Sequence, residues 1–150
     1  MIQLFTELQE KKNVRSNLSA LRASLKEATE EQKAQTIEFV RGHEDLVFGF
    51  LQEEDAKTRK NAALLLGDLA VQNALQPLWK AYTREQTLFV KSAYLEAMKA
   101  LHAEEILSQL KDRLAELEGE PVTEENRKHW EAELRALRAI LIQYEGIDTH

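Results

Sequence analysis

Chemistry near neutral pH would come most readily from the four histidines of this chain. None of them stands in a metal-binding pattern. There is no His-Glu-x-x-His run, and no glutamate lies three residues before His43, His102, His129 or His150, so zinc-protease and ferritin-like di-iron patterns both fail. Gly42, Gly49, Gly67, Gly119 and Gly146 are too scattered to form either type of phosphate-cradling loop. Ser92 falls in the apolar stripe of its helix and Ser108 beside one, with no histidine at helical reach to activate them. The chain has no cysteine, hence no thiolate and no disulfide framework, which fits a reducing cytosol. No catalytic residue, cofactor or metal is expected.

Aromatic and charged residues are the remaining candidates. Trp79, Tyr82, Tyr94 and Trp130 could in principle stack bases or form a cage, but their spacing assigns them to packing faces. The net charge of −6 disfavours binding nucleic acid over the whole surface, double-stranded DNA above all. Within the first 26 residues, Lys11, Lys12, Arg15, Arg22 and Lys26 outweigh Glu7 and Glu10, which leaves −9 for the remainder. That basic stretch reads as a solvated helix face. No apolar run approaches the ~18 residues of a membrane span, and Met1 opens no signal-peptide pattern. A cytoplasmic location without membrane contact is expected.

Few glycines and prolines, 43% hydrophobic residues and 31% charged ones suit a helix-rich single domain over residues 1–150. The clearest unit is Asp55 to Tyr82. Asp55 is a good N-cap, and Ala62, Ala63, Leu66, Leu69 and Ala70 follow at helical steps as one apolar stripe. Gly67 interrupts that stripe at a cost of about 1 kcal/mol, which predicts a neighbouring helix approaching closely. Asn73 is expected to cap the second helix, Pro77 to sit in its first turn, and Leu75, Leu78, Trp79 and Tyr82 to face inward. The break is short, so the two helices are antiparallel.

Elsewhere, Ile2 to Lys12 and Val14 to about Glu27 read as helices broken at Asn13. Thr29 and Gln32 form a capping box for a helix with Ile37, Phe39 and Val40 apolar, stopped at Gly42. Leu46, Val47, Phe50 and Leu51 make a compact helix, and Thr83 with Gln86 repeats the capping pattern before a pair divided near His102. Glu116 to Glu125 is the longest loop. Thr123 caps a last helix to about Tyr144, with Trp130, Leu134, Leu137, Leu141 and Tyr144 as its seam, and Gly146 ends it with Ile147 folding back.

Adding 32 to positions in the hairpin returns the same classes of residue. Ala62, Leu65, Leu66 and Leu69 map to Tyr94, Ala97, Met98 and Leu101. Leu75, Leu78 and Tyr82 map to Leu107, Leu110 and Leu114, and Arg59 maps to Lys91. A period shared by both helices and the turn is a repeat signal. The stretch DAKTRKNAALLLGDL resembles a HEAT repeat of the short, lyase-like type, and TLFVKSAYLEAMKAL is similar, with Lys99 in the place of Gly67. The resemblance covers residues 55–118. It implies an α-solenoid of antiparallel helical hairpins, about four pairs plus a long C-terminal helix. Some HEAT-like enzymes that hydroxylate a modified lysine bind two irons through several His-Glu pairs; only His43-Glu44 occurs here, so that activity is rejected.

The closing segment HWEAELRALRAILIQYEGIDTH resembles the region joining an N-terminal HEAT-like domain to an RNA methylase domain in some bacterial proteins. With the shape of the ending, it implies a chain cut from a longer protein, its linker beginning near residue 145. On the second helix Gln76, Lys80 and Arg84 leave the apolar face, and Lys111 is the counterpart of Trp79. With Lys57 and Lys60 they are the candidate binding surface. Three functions compete. One is a non-catalytic macromolecule-binding scaffold, the N-terminal interaction module of a larger enzyme such as an RNA methyltransferase. The others are an RNA-contacting domain for that enzyme and a stand-alone HEAT-type lyase. The partner is a protein or RNA, or a following catalytic domain contacted within the same chain.

Overall fold

Caps and left-handed turns divide the chain into helices. A computed structural model describes residues 1–145. Among those residues there is no strand, so the protein is all-α. The helices are α1 (Ile2–Gln9), α2 (Val14–Glu27), α3 (Glu30–Val40), α4 (Glu44–Phe50), α5 (Ala56–Asp68), α6 (Leu75–Arg84), α7 (Leu88–Ala100), α8 (Leu107–Glu118) and α9 (Arg127–Glu145). Short 3-10 turns at Gln72–Ala74 and Ala103–Ile106 lead into α6 and α8. The stop at Gly146 and the folding back of Ile147 lie outside the described residues.

Side chains satisfy the free amides at several helix starts. Thr29 and Gln32 exchange bonds of 3.0 and 3.1 Å as a capping box. Asp55 accepts from the Thr58 amide at 2.9 Å and its hydroxyl at 2.7 Å, and the hydroxyl bond holds the Asp55 carboxyl below the usual range. Between α1 and α2, Lys11 and Asn13 take positive φ, and the buried Asn17 amide donates to the Lys12 carbonyl at 2.8 Å to hold that turn. Helix α1 therefore ends at Gln9, short of Lys12. Gly42, at φ +90°, supplies the left-handed residue after α3.

Three further expectations require correction. Ala70 is exposed, outside the apolar stripe, and sits at φ +53° as the left-handed residue ending α5. The Ala70 amide donates to Gly67 O and the Val71 amide to Leu66 O, each at 3.0 Å, so a Schellman motif is closed by alanine. Asn73 lies inside the first 3-10 turn and caps nothing. Thr83 is still within α6, where its hydroxyl donates to the Lys80 carbonyl at 2.8 Å, and Thr87 is the residue before α7. In α3, Val40 is buried and Ile37 and Phe39 pack half-buried against the core, while the small Thr36 is buried beside them with its hydroxyl donating to the Gln32 carbonyl at 2.9 Å.

Helices α2, α5, α7 and α9 stand side by side in that order, each against the next. Helices α4, α6 and α8 lie against α5, α7 and α9 respectively, and α1 packs on α2 and α3. Helix α7 is buried by neighbours on several sides, which explains why Val90, Ala93, Tyr94, Leu95, Ala97 and Met98 are all inside. One core runs from Phe5 to Leu141. Where α5 crosses α7, a Cβ on Gly67 would lie 3.2 Å from the Ala97 Cα and 3.5 Å from the Ala100 Cβ. The expected close approach is present. Lys99, the 32-residue counterpart of Gly67, is exposed, so α9 does not close on α7 at that point.

Links between successive units recur. The Gln72 amide donates to the His102 carbonyl at 2.8 Å and its oxygen accepts from the His102 amide at 3.1 Å, joining one turn to the next. One level further, the Tyr144 hydroxyl donates to the Leu101 carbonyl at 2.8 Å and accepts from the Ala103 amide at 3.1 Å. In each case a side chain of one unit holds the backbone of its neighbour's turn.

Candidate functional site

Arg59 is the residue from which the main concavity is built. Its Nε and Nη2 each donate to Glu85 at 2.9 Å, and its Nη1 reaches the carbonyls of Glu53 and Glu54 at 2.8 and 2.7 Å. This fork joins α5, the α4–α5 turn and the segment before α7. Glu85 also accepts from the Tyr94 hydroxyl at 3.0 Å and the Thr87 amide at 3.2 Å. Burial raises the Glu85 carboxyl, but the Arg59 guanidinium and the two other donors more than offset it, so the net position is below the usual range. Burial and the Glu85 carboxylate push the Tyr94 hydroxyl well upward.

Above this polar floor lies a groove of about 840 Å³ between α6 and the α4–α5 turn. Gln76, Lys80 and Arg84 line it from α6 as one face, with Pro77 and Ala81 between them. Lys57 and Lys60 point elsewhere: with Phe89 and Leu64 they border a shallower depression of about 360 Å³ over α5 and α7. Lys111 is exposed on α8 and lines neither depression. The six candidates are thus distributed, with Gln76, Lys80 and Arg84 in the groove and Lys57, Lys60 and Lys111 outside it.

A second polar cluster, which periodicity does not reveal, is centred on Glu133 of α9. The buried carboxylate accepts from Arg113 Nε at 2.8 Å and Nη2 at 3.0 Å, from Lys91 Nζ at 3.1 Å, and from the Tyr82 hydroxyl. Lys91 also lies 4.9 Å from the Tyr82 ring centre. Burial pushes the Glu133 carboxyl up to about 7, and burial followed by the nearby Arg113 charge pulls Lys91 below the usual lysine range. Four helices meet at this point. The match of Arg59 with Lys91 was its one trace in the sequence.

Several of the chemical candidates sit in structural contacts. His43 packs its ring 6.2 Å from that of Phe5, and Glu44 accepts from the Gly42 amide at 2.9 Å. Ser92, expected in an inner stripe, is instead exposed beside the shallow depression, because α7 turns Ala93 and Tyr94 toward the core. Among the described residues no three histidine, aspartate or glutamate side chains converge as metal ligands. Trp79 is half-buried and stacks at 5.3 Å on Tyr82, while Trp130 donates to the Leu117 carbonyl at 2.6 Å. No described helix is long and apolar enough to cross a membrane.

No protein-family model matches this chain, and neither a curated protein nor a solved structure matches it.

Proposed function

We propose that the chain is a non-catalytic, cytoplasmic HEAT-like scaffold that binds a protein partner along α6. The 32-residue correspondence of residue classes supports a solenoid of antiparallel hairpins, as does the packing of α5 on α7 and of α7 on α9. Arg59 and Lys91, in register, each pair with a buried carboxylate, Glu85 at the end of α6 and Glu133 on α9. The observation that carries binding is the groove beside α6, where Gln76, Lys80 and Arg84 stand over a floor already fixed by Arg59.

The same floor weighs against an enzyme. Both Glu85 oxygens already accept two bonds each, leaving little capacity to take a proton from a substrate. A HEAT-type lyase is therefore disfavoured. An RNA-contacting role is weakened as well, since the groove that holds Lys80 and Arg84 also holds Glu53, Glu54 and Glu85. The bacterial RNA methylase setting rests on the resemblance of the closing segment, and there the module would serve a larger enzyme as its N-terminal interaction arm.

Displayed peptide libraries and structured RNA pools, each selected on the full chain, test this reading. Gln76→Trp fills the groove from an exposed position. Peptides retained by the wild type and lost with Gln76→Trp are expected. Binders indifferent to that substitution, or salt-sensitive RNA binding alone, would overturn the reading.

A further inference from the structure

The groove beside α6 has walls of opposite charge. Lys80 and Arg84 are exposed on α6, and Glu53 and Glu54 are exposed in the α4–α5 turn. Among the described residues no ion pair satisfies any of these four side chains. The third pair of charges, Arg59 and Glu85, is internally neutralised beneath them. A ligand therefore meets two unpaired cations on one side and two unpaired carboxylates on the other. A phosphate backbone would be attracted by the first wall and repelled by the second. A peptide can satisfy both.

Spacing narrows the occupant further. Lys80 and Arg84 are one helical turn apart, about 6 Å along α6. In an extended peptide, side chains on the same edge recur every second residue, at about 6.8 Å. Gln52, Gln76 and Gln86 are exposed along the groove, and each amide offers both a donor and an acceptor. These suit the unpaired main-chain groups of an extended segment, whereas a helix presents its backbone satisfied internally and requires a trough about 10–12 Å across.

We infer that the groove takes an extended protein segment of alternating charge, with acidic side chains at i and i+2 against Lys80 and Arg84 and a basic one at i+1 against Glu53 and Glu54. The inference rests on the protein-binding reading above and specifies its ligand.

The test uses a displayed library of extended-biased dodecamers selected on the full chain, then synthetic peptides measured by fluorescence anisotropy. Acid–base–acid triplets should be enriched. Reversing both cations, Lys80→Glu with Arg84→Glu, should weaken those peptides by at least about tenfold and shift selection toward base at i and i+2. Both side chains are exposed, so an unchanged circular dichroism melt is expected to confirm that the fold is kept. Peptides that bind through the groove, as judged by Gln76→Trp, but show no charge alternation would overturn this inference and leave the binding reading standing. No groove-dependent peptide at all would overturn both. A single-stranded RNA oligomer serves as the second probe, and tighter binding of it than of any peptide would also overturn the inference.

Discussion

Arg59 and Lys91, 32 residues apart, each pair with a buried carboxylate, Arg59 with Glu85 at the end of α6 and Lys91 with Glu133 on α9. Arg59 meets Glu85 through two bonds of 2.9 Å, and Lys91 meets Glu133 at 3.1 Å. Arg59 ties α5 to the end of α6, and Lys91 ties α7 to α9. These pairs also determine what a mutation at either cation should do.

Arg59→Ala would leave Glu85, with its side chain only 5% exposed, without its counter-charge. A loss of about 3 kcal/mol is expected, because breaking one side of a buried pair exposes the full desolvation cost of the other. Arg15→Ala, at a 3.5 Å pair with Asp55 in which both side chains are half open to solvent, should cost under about 0.5 kcal/mol. Urea denaturation of the two variants checks the contrast.

Gly67→Leu should destabilise the protein by more than about 3 kcal/mol, since even a Cβ there meets the Ala97 backbone at 3.2 Å. Lys99→Leu, at the corresponding exposed position, should change stability by less than about 0.5 kcal/mol. Equal effects in thermal unfolding would show that α5 and α7 are not tightly crossed at Gly67.

Ala70→Gly should stabilise the protein by about 0.5 kcal/mol. The left-handed φ of +53° strains alanine, and glycine removes that strain while adding some unfolded-state entropy. The shift in urea midpoint is the measurement, and a loss of stability would argue against the Schellman closure.

The two buried glutamates should act on stability in opposite pH windows. Glu133 lies above its unfolded range, at about 7, so its contribution is fully present below about pH 4.5 and is lost as pH rises through 7. Glu85 lies below the usual range, so its contribution is present above about pH 4.5 and is lost on further acidification. Unfolding curves from pH 3 to 8 should show Glu133→Gln flattening the neutral limb and Glu85→Gln flattening the acid limb.

The helices were legible because their signals are local. Thr29–Gln32 and Asp55 announce caps, and the Trp130 to Tyr144 spacing announces a seam whose Leu134, Leu137 and Leu141 are indeed buried. Ala70 was misread because a period counts faces and carries no backbone angle. Thr83 was misread because its hydroxyl can serve a carbonyl within α6 as well as cap a new helix. Glu133 was invisible: its partners Tyr82, Lys91 and Arg113 lie 51, 42 and 20 residues away, and it falls outside the Trp130 to Tyr144 seam. The groove was half legible. Gln76, Lys80 and Arg84 could be placed on one face, while its far wall and floor depend on a bond network that no spacing encodes.

The most direct test of binding along α6 is a titration of the isotope-labelled chain with a selected alternating-charge peptide, followed by amide chemical shifts. Perturbations should concentrate on Gln76, Lys80 and Arg84 and on Gln52 to Glu54 across the groove. Shifts confined to Lys57, Lys60 and Phe89, or to the outer face of α9, would contradict it.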